Sequence, residues 1–260
     1  MTGPAGVVAL VLAETVAGAA TWLFLSPLWG EVKRGFFKLT GVVLLILSLA
    51  GWRSVAAGLT ASSDAGRWGL WLSAAVAASM LVWILLLYAR ADRAARIVGF
   101  VSVALCVGML VALAGTAEGS AGVAALQLLA GAAFLGSTLD GLLLGHWYLT
   151  DRGLSRQPID RSTIALIVAV VLEALAIILG GFGPTGASNE FNPLLTTAGL
   201  ASWIALGMTG ATALIAVMIR LTLKGARATA VQAATGFFYL AVITALTAEL
   251  AAKVRFLPPR

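Results

Sequence analysis

Eight long apolar runs follow one another through this chain, with only short polar stretches between them. They fall at about 5–29, 38–59, 68–89, 95–115, 121–149, 162–182, 194–221 and 228–252. A helix needs about 20 mostly apolar residues to cross a hydrocarbon core. Inside that core no water is present to satisfy backbone N–H and C=O groups, so each run must satisfy its own by folding as a helix. The expected fold class is therefore all-α: a polytopic integral membrane bundle of eight spans. The connecting stretches are too short for a soluble module, so the 260 residues read as a single transmembrane domain. Only 11% of residues are charged, against about 25% in soluble domains. The N-terminal MTGPAG lacks a basic region, and the first run is long enough to remain as a span rather than act as a cleaved signal.

The distribution of Lys and Arg supports the count of eight. Lys33, Arg34 and Lys38 fall between spans 1 and 2, and Arg90, Arg93 and Arg96 between spans 3 and 4. Arg152, Arg156 and Arg161 fall between spans 5 and 6, and Arg220, Lys224 and Arg227 between spans 7 and 8. The other side has only Arg53, Arg67, Lys253, Arg255 and Arg260. Basic residues collect in cytoplasmic loops, so these four loops are expected inside and both termini outside. Trp29 and Trp147 then sit at inner ends, and Trp52, Trp68 and Trp71 at outer ends, as interfacial aromatic belts favour. The sequence pI near 10.1 reads as topology rather than as nucleic-acid binding. The expected localisation is a bacterial inner membrane, and the outer loop GGFGPTGASNEFNP is expected to be a cap rich in turns.

A parallel four-plus-four arrangement is suggested by two matching span ends, LFLSPLWGEVKRG and LLLGHWYLTDRG. Each would close a four-helix half, with any site at the interface between halves.

Several chemistries are excluded by what the chain lacks. The lone Cys106 rules out internal disulfides and cysteine-rich metal or iron–sulfur sites. The single histidine, His146, rules out a bis-histidine haem. A His–Met haem remains open on paper, with Met80, Met109, Met208 and Met218 as partners, but no motif selects one. No P-loop, GxGxxG fingerprint or GxSxG elbow is present. No metal or haem is predicted.

Four carboxyls lie inside spans: Glu14, Asp140, Glu173 and Glu249. Ionisable groups in hydrocarbon are costly, face the bundle interior and mark functional sites. Glu249, close to the outer end of its span, reads as structural. Glu14 shares a face with Ala17, Gly18 and Thr21, and Asp140 with Gly136, Ser137 and Leu144. Glu173 shares one with Ala169, Ala176, Ile177 and Gly180. Small residues let helices approach closely. In span 8, Gln232, Thr235 and Tyr239 form another polar face. Glu14, Asp140 and Glu173 are the candidates for a proton relay.

The stretch TLDGLLLGHWYLTDRG places Asp140 and His146 on one helix, but roughly 120° apart around its axis and about 9 Å apart in depth. They do not form a dyad. His146, with Trp147, Tyr148 and Arg152, is the candidate quinone site, because an interfacial imidazole can hydrogen-bond a quinone carbonyl and exchange its proton.

The expected function is a haem-free membrane subunit of a redox complex. It would exchange menaquinone or ubiquinone with metal-bearing partner subunits and handle protons. The architecture is similar to eight-helix, haem-free quinone-binding anchors of the NrfD type. A proton-coupled secondary transporter is the first alternative. It is disfavoured because every proline lies at a span end, whereas transporter helices are commonly broken near the midplane. A structural or assembly subunit is the second. Expected partners are membrane lipids and other subunits of a redox complex.

Overall fold

The computed structural model describes residues 3–59, 63–117, 119–151, 153–182, 199–225 and 229–256. Most of the outer GGFGPTGASNEFNP loop, together with Arg152 and Arg227, lies outside them. Among the described residues there is no strand. The elements are α1 (Gly3–Leu25), α2 (Leu28–Glu31), α3 (Arg34–Gly58), α4 (Asp64–Tyr88), α5 (Asp92–Ala114), α6 (Ala121–Thr150), α7 (Gln157–Gly180), α8 (Leu200–Leu223) and α9 (Ala230–Lys253). A short 3-10 turn, Val254–Phe256, follows α9. Eight of these helices are long and apolar enough to cross a membrane.

Most helix ends fall within a few residues of the expected limits, and the differences have local causes. The first span stops at Leu25 rather than continuing to position 29. Proline lacks an N–H and restricts the residue before it, so Ser26-Pro27 ends the helix and the one-turn α2 restarts it. The sixth span begins earlier, at Gln157, because Pro158 sits in the first turn, where its missing N–H would be unpaired anyway.

The helices form two closed rings. In the first half α1 packs on α3, α3 on α4, α4 on α5, and α5 back on α1. In the second α6 packs on α7, α7 on α8, α8 on α9, and α9 back on α6. The rings meet chiefly where α1 runs along α6. The two helices are parallel and cross at Gly18 and Gly136. A Cβ built at Gly18 would lie 1.7 Å from the Ala132 carbonyl oxygen, and one at Gly136 would lie 2.2 Å from the Gly18 carbonyl carbon. Only glycine permits backbones to approach this closely. The offset from Gly18 to Gly136 along the chain equals that from Trp29 to Trp147 and from Gly35 to Gly153, so the crossing continues the register of the two matching segments.

The four basic connections share one end of the bundle, where ion pairs tie them together. Arg34 pairs with Asp92, Arg161 with Glu31, Lys33 with Asp151 at 3.1 Å, and Arg220 with Asp160 at 2.9 Å. These pairs are partly solvent-exposed, and such pairs contribute about 0–1 kcal/mol each. Their role is to set register between connections rather than to supply most of the stability. At the perimeter, large apolar side chains such as Trp71, Leu179 and Leu214 point outward. A water-soluble surface would not carry so continuous an apolar coat, whereas lipid contact demands it.

The expected polar face of the last span is not the one the fold buries. Gln232 and Tyr239 are exposed, and of that trio only Thr235 is enclosed. The packed stripe of α9 is Ala234, Ala241, Ala245 and Ala248 with Phe238. Alanine allows α9 to approach α6 more closely than glutamine or tyrosine would.

Candidate functional site

Three of the four intramembrane carboxyls converge between the two halves. Glu14 sits midway along α1, Glu173 on α7 and Glu249 near the end of α9, and each is at most 1% exposed. Glu14 and Glu249 share one partner, Lys253, which is also 1% exposed. Its Nζ lies 2.7 Å from Glu14 Oε1 and 2.7 Å from Glu249 Oε2. By its position in the sequence Lys253 belongs with the flanking charges outside the last span; the fold instead buries it with the carboxyls. One signal was legible: Glu249 and Lys253 are four residues apart, the spacing that places an acid and a base side by side on a helix. Their joint contact with Glu14, far away in sequence, was not.

The α6 backbone makes room for this cluster. A Cβ at Gly131 would lie 2.5 Å from Glu14 Oε1 and 2.9 Å from Glu249 Oε2. Gly131→Ala is therefore expected to push the carboxylates off Lys253 and to destabilise the protein by about 1–3 kcal/mol. Thermal unfolding of the purified variant measures this, and an unchanged midpoint would refute the tight fit.

Apart from the contacts to Lys253 and a side-chain contact between the Glu173 and Glu249 carboxyls, these buried oxygens have no partner among the described residues, and Glu173 Oε2 has none. A cavity of about 10 Å³ adjoins the cluster, close to the lower bound for one water. Its polar lining is Gln127, Glu173, Ser202 and Lys253, and Phe256 of the 3-10 turn helps to close it. Gln127 is itself fixed by donating from Nε2 to the Ala176 carbonyl at 3.1 Å.

Asp140 is not part of this group. It lies roughly 13 Å further along α6 than Gly131, by the 1.5 Å helical rise. It is 1% exposed, and neither carboxyl oxygen has a hydrogen-bond partner among the described residues. The tight Gly18–Gly136 crossing lies between it and the cluster.

The residues grouped around His146 point in different directions. His146 is exposed, with Nδ1 3.0 Å from the Tyr239 hydroxyl of α9. Trp147 turns toward α3, packing edge-on against Phe36 at 6.2 Å and over Gly35. Tyr148 is buried and donates its hydroxyl hydrogen to the Ser155 carbonyl. Arg152 lies outside the described residues.

A separate feature is an apolar groove of about 560 Å³ over the α1–α6 seam. Its walls are Val107 and Leu110 of α5 and Ile164 and Val168 of α7, and its floor includes Gly18 and Ala132. Polar groups appear at Thr21, Trp22, Ser137 and Arg161. Thr21 donates to the Ala17 carbonyl at 2.7 Å and Ser137 to the Phe134 carbonyl at 3.0 Å, so each hydroxyl oxygen retains lone pairs to accept. Trp22 Nε1 donates to Ser162 Oγ at 3.3 Å. Arg161, the only charged residue of the lining among the described residues, is neutralised by Glu31. His146 projects about 180° around α6 from Ser137, so the groove and the His146 group are distinct.

Comparison with known families, with curated proteins and with solved structures found no match to this chain.

Proposed function

We propose that this protein is a bacterial inner-membrane subunit of a redox assembly, taking up a quinone or quinol from the bilayer for exchange with metal-bearing partner subunits. The groove over the α1–α6 seam carries this reading. Ligand pockets span about 300–1,000 Å³ and are mostly apolar with a few placed polar groups, and this groove has that size and character. Because Glu31 neutralises Arg161, the mouth favours a neutral head group over a phosphate. The hydroxyl oxygens of Thr21 and Ser137 are placed to accept from a quinol. The basic connections would face the cytoplasm, following the positive-inside rule.

The test is extraction and quantification of quinone from protein purified out of its native membrane. Ala165 lines the groove, and Ala165→Trp is expected to lower bound quinone about tenfold, equivalent to ~1.4 kcal/mol. His146→Ala is expected to leave it unchanged, and a loss in that variant instead would move the head group to the His146 face. Absence of quinone from the wild-type preparation would sink the reading.

One observation favours a second reading, a proton-coupled carrier: the charged cluster joins α1 of one half to α7 and α9 of the other. Proton-coupled solute uptake by the protein alone in liposomes would select it.

A further inference from the structure

The charged cluster is the best-defined polar feature of the interior, and the quinone reading does not use it. Three carboxyls face one ammonium. With all four groups ionised the cluster would carry a net charge of −2 in a region closed to bulk water. Among the described residues, the other elements packed against it provide no compensating charge: α6 contributes Gly131 and the neutral Gln127, and α8 contributes Ser202. Lys253 neutralises one carboxylate, and its two short contacts are to Glu14 and Glu249. Glu173 is left facing the same cavity with Oε2 unpartnered. A buried ionised carboxylate without a cation or a donor is the arrangement proteins avoid by taking up a proton.

We propose that Glu14, Glu173, Glu249 and Lys253 form a proton-binding site in which the three carboxyls together hold at least one exchangeable proton, reached through the small cavity beneath the Val254–Phe256 turn. Glu173 lines that cavity and is the entry group, and Glu14 and Glu249 share the remaining charge across Lys253. Exchange is with the end of the bundle opposite the basic connections. Toward the basic end, along the α1–α6 contact, the path meets the Gly18–Gly136 crossing, where backbone lies against backbone.

The test is infrared spectroscopy of the full-length, quinone-free protein in lipid at neutral pH, following the protonated-carboxyl stretch in H₂O and D₂O. Asp140→Asn serves as the background, because Asp140 is a second buried carboxyl. In that background a protonated-carboxyl band is expected. It should shift on transfer to D₂O and lose at least half its intensity in Glu173→Gln, because one of the one or two protons that offset the −2 charge no longer has its carboxyl. Glu173→Asp keeps a carboxyl and should retain a displaced band, which covers the case of a poorly folded glutamine variant. In right-side-out and inverted vesicles given an external pH jump, the band should respond promptly in only one orientation. The proposal is overturned by a background with no such band, by a band that fails to exchange, by a band indifferent to both Glu173 variants, or by equal response in both orientations. None of these readouts involves quinone, so their failure is separable from failure of the proposed function.

Discussion

Gly18→Val is expected to abolish the folded bundle. The added Cβ would need to occupy space 1.7 Å from the Ala132 carbonyl oxygen and 3.0 Å from the Gly136 Cα. Overpacking typically costs 1–3 kcal/mol when side chains can yield. Here the neighbours are backbone atoms in the middle of two helices, which cannot rotate away. The helices would have to separate, and the interface between the two halves would open with them. A loss of about 3 kcal/mol or more is expected, at the upper end of that range or beyond it. In practice this means no monodisperse protein on size-exclusion chromatography in detergent. The matched control is Gly236→Ala. Gly236 lies in α9 with nothing within 4 Å of its would-be Cβ, and relieving a mid-helix glycine is expected to stabilise by roughly 0.5–1 kcal/mol. If Gly18→Val folds as well as Gly236→Ala, α1 and α6 do not cross at Gly18 and Gly136.

The second large effect concerns Lys253. Lys253→Met retains a long, flexible side chain but removes the ammonium, leaving Glu14 and Glu249 buried without their cation. Breaking a buried ion pair from one side costs about 3–5 kcal/mol, whereas replacing the whole set by neutral groups can be nearly neutral. The single variant is therefore expected to melt roughly 10 °C below wild type, taking a few degrees per kcal/mol. Adding Glu14→Gln and Glu249→Gln is expected to recover most of that loss. The cycle of single and combined variants isolates the coupling from incidental repacking. A Lys253→Met protein that melts with wild type would show that the ammonium is not held between the two carboxylates. Recovery by Glu249→Gln alone would mean that the i,i+4 pair within α9 carries the coupling and Glu14 does not.

These two experiments address different levels of what the sequence made legible. The eight spans could be read directly, because crossing hydrocarbon requires long apolar runs and those are local features of the chain. The ends could be read to within a few residues wherever a proline or a charge marked them. The carboxyls Glu14 and Glu173 stood out because an acid in such a run needs an explanation. Glu249 reads from the sequence as structural, and Lys253 as a flanking charge. Both lie near the end of their run, where a charge ordinarily reaches the interface. Their burial depends on how far α9 extends alongside α6 and on the Val254–Phe256 turn that follows it. Gln232 and Tyr239 failed in the opposite sense, since a polar stripe on α9 appeared suited to the interior until the alanine stripe proved to pack closer.

The sequence by itself determined that this chain is a membrane bundle of eight helices, which connections share one end, and which side chains are out of place in hydrocarbon. Each of those follows from the properties of a segment in its solvent. The tertiary structure decided which helices adjoin. It set the α1–α6 crossing, brought Glu14, Glu173, Glu249 and Lys253 to one point, and turned His146, Trp147 and Tyr148 to separate neighbours. Several of those outcomes depend on fits between residues far apart in the chain, such as a glycine on one helix meeting a backbone carbonyl on another, and no local pattern encodes such a fit.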